Sequence, residues 1–217
     1  MAQLVIAYKF LRPGGIAPYT GFRWPVGDWV DAGGVDPCRT GIHACAVGDL
    51  PIWMGPELWE IELAGEIAVQ ARKLVAPRGR LLRRLDGWND GLIQDFGRAC
   101  VRRTRERVGF LPVLSGYAFD ADRLAGLGRV PLAAFAAARA AELRDGPAAY
   151  EEERRLQAIW LAERLGLEGG DLRRKSRPWR FRARVGARTR RAPRPTRLRL
   201  RTRLPGPGPR VPEDDPP

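Results

Sequence analysis

The spacing of the apolar residues changes character near Trp88, and that change restricts the fold more than any other feature of the chain. Before it, the apolar runs are short and strand-like. Residues 3–10, QLVIAYKF, form a continuous run rich in β-branched and aromatic side chains, which predicts a strand buried on both faces. A loop containing Pro13, Gly14 and Gly15 follows, after which GFRW at 21–24 and GIHACAV at 41–47 read as strands. ELWEIEL at 57–63 alternates, with Trp59, Ile61 and Leu63 on one face and Glu60 and Glu62 on the other. EIAVQARKLVAP and GRLLRRLDGW each read as one strand, joined by a turn from Pro77 to Gly79.

After Trp88 the period becomes helical. Leu92, Ile93, Phe96 and Cys100 recur on one face of a helix over residues 89–108, with arginines on the remaining face. Further helices are expected at about 120–127, at 131–144 and at 147–165. The last has punctuation at both ends: Asp145-Gly146-Pro147 offers an N-cap and an early proline, and Gly166-Leu167 a Schellman-type stop. Its apolar face is expected to hold Leu156, Ile159 and Trp160, with Tyr150 or Ala149. Strands followed by helices predict an α+β domain over residues 1–168, a β-rich half of five or six short strands packed with a half of three or four helices.

The charge divides the chain again. Residues 1–171 carry 22 basic and 22 acidic side chains, whereas residues 172–217 carry 16 and 3, so the whole net charge of +13 belongs to the C-terminal stretch. That stretch also has 9 of the 19 prolines and no sustained apolar period, which predicts a disordered Arg- and Pro-rich tail over 169–217. Arg173, Arg174, Lys175, Arg177, Arg180 and Arg182 form a basic run suited to non-specific contact with nucleic acid or another polyanion. Only Trp179 and Phe181 interleave with the charge, too few for a base-stacking platform. The same composition also fits an extension with no selected role.

The N-terminal apolar stretch is short and has no basic residues before it, and no segment reaches membrane-spanning length, so a cytoplasmic protein with reduced thiols and no membrane association is expected.

Chemistry concentrates in CRTGIHAC, residues 38–45, which holds the only histidine and two of the three cysteines. On a strand His43 and Cys45 share a face, and with Cys38 they offer three donors. A closed zinc site needs four ligands, and the remaining thiol, Cys100, falls on the apolar face of a helix where it acts as a small hydrophobe; no metal site is assigned. A Cys38–His43 nucleophilic pair is a second reading, with no flanking signature of a cysteine hydrolase. A packed strand whose histidine is satisfied locally is the third. Glu60 and Glu62 are either the solvated side of a half-buried sheet or carboxylates lining a cleft. The candidate pocket is therefore Cys38, His43, Cys45, Glu60 and Glu62. Trp24, Trp29, Trp53, Trp59 and Trp88 read as core fillers, with Trp24 and Trp29 able to rim a pocket.

The order YKFL, GFRW, C-x2-G-I-H-A-C, LWEIELAGE, then K-L-V and a strand ending in Trp88 resembles a domain family of bacteria and phages that has a GxHxC core and no assigned activity. The resemblance covers roughly residues 5–90, and ERRLQAIWLAERLGL at 153–167 is similar to the closing helix of longer members. More distantly, GIHAC followed by LWEIELAGE looks like the strand pattern of ADP-ribosyltransferases, which implies NAD in a split sheet, His43 at the position of the family's stacking tyrosine and Glu62 as the only available carboxylate. Tyr8-Lys9 stands where those enzymes place histidine or arginine. The sequence thus points first to a non-enzymatic accessory or binding protein with no cofactor. NAD-using chemistry and polyanion association through the tail are the alternatives.

Overall fold

A computed structural model describes residues 4–36, 39–70, 72–109 and 112–167. Cys38 and the basic run from Arg173 to Arg182 lie outside the described residues, as does the stretch read as a disordered tail. The architecture is α+β, with the strands in the N-terminal half and the long helices in the C-terminal half.

Seven strands are present among the described residues: β1 (Leu4–Leu11), β2 (Val30–Asp31), β3 (Ile42–Ala44), β4 (Glu57–Ala64), β5 (Ala68–Gln70), β6 (Lys73–Ala76) and β7 (Arg78–Arg84). They form an antiparallel four-stranded sheet in the order β1-β4-β7-β2 and a three-stranded sheet in the order β3-β6-β5. The two are linked where Tyr8 and Cys45 exchange backbone hydrogen bonds of 2.9 and 2.8 Å, so β3 lies beside β1. Between the sheets Ala7, Leu11, Ile61, Leu63 and Leu81 meet Ile42, Ala44 and Ala76.

Three strand expectations change. The run over β1 is not buried on both faces: Leu4 and Ile6 are exposed, because the helices cover only the Tyr8 and Phe10 end of that face. Residues 66–77 make two strands, with β5 and β6 pairing Ala68 with Val75 and Gln70 with Lys73. GFRW contributes only a single bridge, Arg23 to Ile16.

Two glycines set the path of the chain. Gly41 precedes β3 at φ 119°, and a Cβ there would lie 2.5 Å from the Val75 side chain of β6. Gly65 ends β4 at φ 97°, with a Cβ position 2.6 Å from the Pro77 ring. At both positions the backbone conformation and the close approach exclude a side chain.

The helices are a four-residue α1 (Leu50–Trp53), then α2 (Asp90–Val108), α3 (Pro112–Gly126), α4 (Val130–Asp145) and α5 (Pro147–Leu165). Asn89 caps α2 by accepting the Leu92 amide at 3.0 Å. Gly166 closes α5 in the left-handed conformation, with Leu167 N–H donating to the Ala162 carbonyl at 2.9 Å, the Schellman geometry its sequence predicts. The N-cap of α5 is Gly146, with no side-chain bond from Asp145. α3 begins well before residue 120, since Pro112 falls in its first turn, where a missing amide costs nothing.

The alanine-rich α4 packs against α2, α3 and α5. Its buried face is Val130 and seven alanines, which lets neighbouring helices approach closely. The sheet joins the helices through Tyr8, Cys45, Leu58, Leu85 and Trp88 on one side and Phe96, Cys100, Ala134, Ala137 and Leu161 on the other. The buried face of α5 is not the one expected: Glu153, Arg154 and Gln157 are buried alongside Ala158, Leu161 and Ala162, while Leu156, Ile159 and Trp160 are half-buried. Among the described residues no helix is long and apolar enough to cross a membrane.

Candidate functional site

The residues singled out in the sequence are placed by three strands. Cys45 follows β3, fully covered between β1 and the helices, and its thiol is free. Burial, with Asp49 adding to it, pushes this thiol far above the ordinary range, so it is held protonated and inert. Burial likewise pushes the Cys100 thiol up to about 12.

His43 alternates with Ile42 and Ala44, whose side chains enter the core between the sheets, so its ring faces away from that core and is half-buried. Burial, then Lys73 and Lys9, lower its pKa and favour the neutral ring.

Glu60 and Glu62 occupy the face of β4 turned away from Ile61 and Leu63 and are engaged across to β7. Arg80 Nε donates to Glu62 Oε2 at 2.8 Å, and Arg83 donates to Glu60 Oε2 at 2.8 Å. Residues 80 and 83, three apart, belong on opposite faces of a regular strand. The register shift between Glu60 and Ile61 leaves Leu82 as the extra residue of a bulge and brings both arginines opposite the two glutamates. Arg78 and Arg80 lie 5.1 and 4.9 Å from the Trp29 ring, which shields the Glu62–Arg80 pair.

These placements keep the candidates apart. β1 runs between the strand bearing His43 and the strand bearing Glu60 and Glu62. Among the described residues, no three His, Cys, Asp or Glu side chains converge in a manner able to hold a metal ion.

Lys9 was not among the candidate pocket residues. It stands in β1 between Ala7 and Leu11, which are fully buried in the core between the sheets, and it shares their face. Its ammonium donates to the His43 carbonyl at 2.6 Å and sits 5.0 Å from the centre of the Trp24 ring. Burial lowers its pKa to about 8, with Cys45 the only counteracting influence. The signal available in the sequence was a single charge inside the apolar run LVIAYKFL. The loop over residues 12–24 covers this end, fastened by the Glu57 carboxylate, which accepts the Gly14 and Gly15 amides and the Trp59 indole, each at 3.0 Å.

A second group lies among the helices. Arg154 on α5 is 5% exposed and has no carboxylate within ion-pair distance among the described residues. Its guanidinium donates to Gln157 Oε1 at 3.1 Å and to the Tyr150 hydroxyl at 3.4 Å, and lies 5.7 and 5.4 Å from the rings of Phe135 and Tyr150. Those two rings meet edge to face at 6.5 Å and line a groove of about 310 Å³ between α4 and α5, with Arg139, Glu142, Pro147 and Glu151 completing it. Arg139 pairs with Glu142, and Glu151 pairs with Arg72, leaving Arg154 as the positive charge behind the groove without an acidic partner among the described residues.

No family model matches the chain, and neither does any curated protein or solved structure.

Proposed function

We propose that the chain is a cytoplasmic, non-enzymatic binding domain that holds an acidic group of a partner in the groove between α4 and α5. The observation that carries this reading is Arg154. Buried guanidinium groups ordinarily have a carboxylate partner, because an unpaired charge in the interior is costly. Here the charge is held by two aromatic faces and a glutamine beside an open groove. A carboxylate entering past the exposed Phe135 ring supplies the missing partner, and the ring itself offers a stacking surface. The structural commitments of the other candidates support the non-enzymatic half of the reading: Cys45 is covered, and Glu60 and Glu62 are bonded to Arg83 and Arg80.

Benzoate is a suitable probe, since it carries both a ring and a carboxylate. Millimolar benzoate is expected to raise the melting temperature of the full chain, and Arg154→Met to remove the rise. No rise, or an equal rise in the variant, contradicts the groove reading. NAD in the same assay separates the enzymatic alternative, because a rise with NAD that His43→Ala abolishes would support it instead.

A further inference from the structure

We propose that Lys9 is a nucleophilic amine site that captures a small aldehyde as an imine at the Trp24-capped end of the core between the two sheets. This goes beyond the groove reading and rests on different residues.

The placement of the amine carries the argument. Lys9 is the one charged side chain on the inner face of β1, among Ala7, Leu11, Ile61 and Leu63. Across β4 its register partner is Trp59, and Trp24 lies over it from the covering loop. Among the described residues no carboxylate comes within ion-pair distance of Lys9. One amine hydrogen is used on the His43 carbonyl, which fixes the direction of the nitrogen and leaves its remaining valences turned elsewhere.

Trp24 is an independent indication. It is 7% exposed, and its indole N–H is the one buried side-chain polar atom among the described residues with no hydrogen-bond partner. A buried donor without an acceptor is destabilising, a cost that a bound oxygen relieves. The ring that the ammonium lies against thus carries a donor without an acceptor, which the oxygen of an aldehyde fills on arrival and as the carbinolamine, until it leaves as water.

The surroundings favour amine chemistry over plain anion binding. A carboxylate or phosphate site needs a permanent cation, whereas this amine is desolvated and gains little from charge partners. A lysine in an apolar setting is the usual form of an imine-forming nucleophile. The groups acting on it are Cys45 and His43, and burial keeps the first a neutral thiol and favours the second as a neutral ring.

The step balances without any further reactant. The unprotonated amine attacks the aldehyde carbon, a C–N bond forms as the C=O π bond breaks, and the oxygen takes an amine proton to give a carbinolamine. Departure of that hydroxyl with the second amine proton releases one water and leaves the imine. The loop that Glu57 fastens covers this end of the core, so the aldehyde proposed is a small one.

The chain has three lysines, Lys9, Lys73 and Lys175, so the other two and the N-terminus serve as internal references. The full chain is treated with propionaldehyde and cyanoborohydride, which reduces the imine to a stable secondary amine, and the modified positions are quantified by peptide mass spectrometry. At pH 7 Lys9 is expected to react at least about tenfold faster than Lys73. Its rate should level off near pH 8. Modification should also change tryptophan fluorescence, and Lys9→Arg, which keeps a cation but no nucleophile, should abolish that change. A Lys9 rate equal to or below that of Lys73 overturns the proposal, and this ratio is read in the unaltered chain even if the variant does not fold.

Discussion

The Lys9 ammonium donates a 2.6 Å hydrogen bond to the backbone carbonyl of His43, so a charge in β1 is tied to the strand that holds the chain's single histidine. The bond ties the two sheets together beside the Tyr8–Cys45 bridge, at the cost of a buried amine with no acidic partner among the described residues. Three measurable consequences for the β half follow from how that end of the core is built, and one for the helices.

Replacing Lys9 with methionine should stabilise the protein at neutral pH and lose that advantage in base. In the folded protein Lys9 titrates at about 8, against 10.5 when unfolded. Between those values the unfolded chain holds a proton the folded one has released, so stability rises with pH, and below pH 8 the full penalty applies. That penalty is at most about 3 kcal/mol, and the lost bond to the His43 carbonyl takes back about 1 kcal/mol. Lys9→Met is therefore expected to gain about 2 kcal/mol at pH 7. Urea unfolding at pH 7 and pH 10.5 checks this; an equal difference at both values contradicts the assignment.

Gly41→Ala should cost more than a loop substitution ordinarily does. Its φ of 119° disfavours any side chain, and the added methyl would meet Val75 at 2.5 Å, within the β3–β6 pairing that places His43 opposite Val75. The expected loss is about 2–3 kcal/mol by denaturant unfolding. Ala at Gly33, also at positive φ but with open space around it, should cost less, since only the backbone term remains.

The contrast between those glycines shows what the sequence can and cannot convey. Helix ends were legible where a local device sets them: Asn89 before α2 and Gly166 after α5 act within a few residues of their own positions. The alternation of β4 was legible because both faces are set by the pleat. The hairpin inside EIAVQARKLVAP was not, since no Gly, Pro, Asn or Asp stands between β5 and β6 to mark a turn. The burial of Glu153, Arg154 and Gln157 was hidden because it depends on an alanine-lined neighbour, α4, and on arginines about 50 residues away in sequence. At the candidate site His43 was visible as an isolated residue type. The separation of His43 from Glu62 by β1 follows from strand order, which no local pattern encodes.

Acid should loosen the loop over residues 12–24 before it unfolds the domain. Burial works against the charge on Glu57, but hydrogen bonds from the Gly14, Trp59 and Gly15 N–H groups, with Arg84 nearby, outweigh it and hold the carboxyl below its ordinary value of 4.5. A carboxyl with a lowered folded pKa contributes stability that is complete above the unfolded value and lost as pH falls through the folded one. Hydrogen exchange at the Gly14 and Gly15 amides should therefore show extra opening, relative to the intrinsic rate, with a midpoint below pH 4.5. In Glu57→Gln that acid transition should vanish, and a transition unchanged in the variant would assign it elsewhere.

Glu153 holds the helices together through charge rather than apolar contact. It is 1% exposed; Arg103 Nε donates to its Oε1 at 3.0 Å, Gln157 Nε2 donates to the same oxygen at 3.0 Å, and Arg107 donates to Oε2 at 3.4 Å. The glutamine also donates to the Ala134 carbonyl at 2.9 Å, so one carboxylate links α2 and α5 directly and α4 through Gln157. Removing one member of such a group leaves the others uncompensated. Because Arg103 and Arg107 keep side-chain exposures of 19% and 21%, water recovers part of their solvation, which places the cost of Glu153→Ala at about 3 kcal/mol, the lower end for a buried pair. Adding Arg103→Met should restore part of that loss, since the charge left unpaired is then gone, and the double-mutant cycle should give a coupling of about 1–2 kcal/mol. Strictly additive losses would mean that the arginines are solvated independently of Glu153.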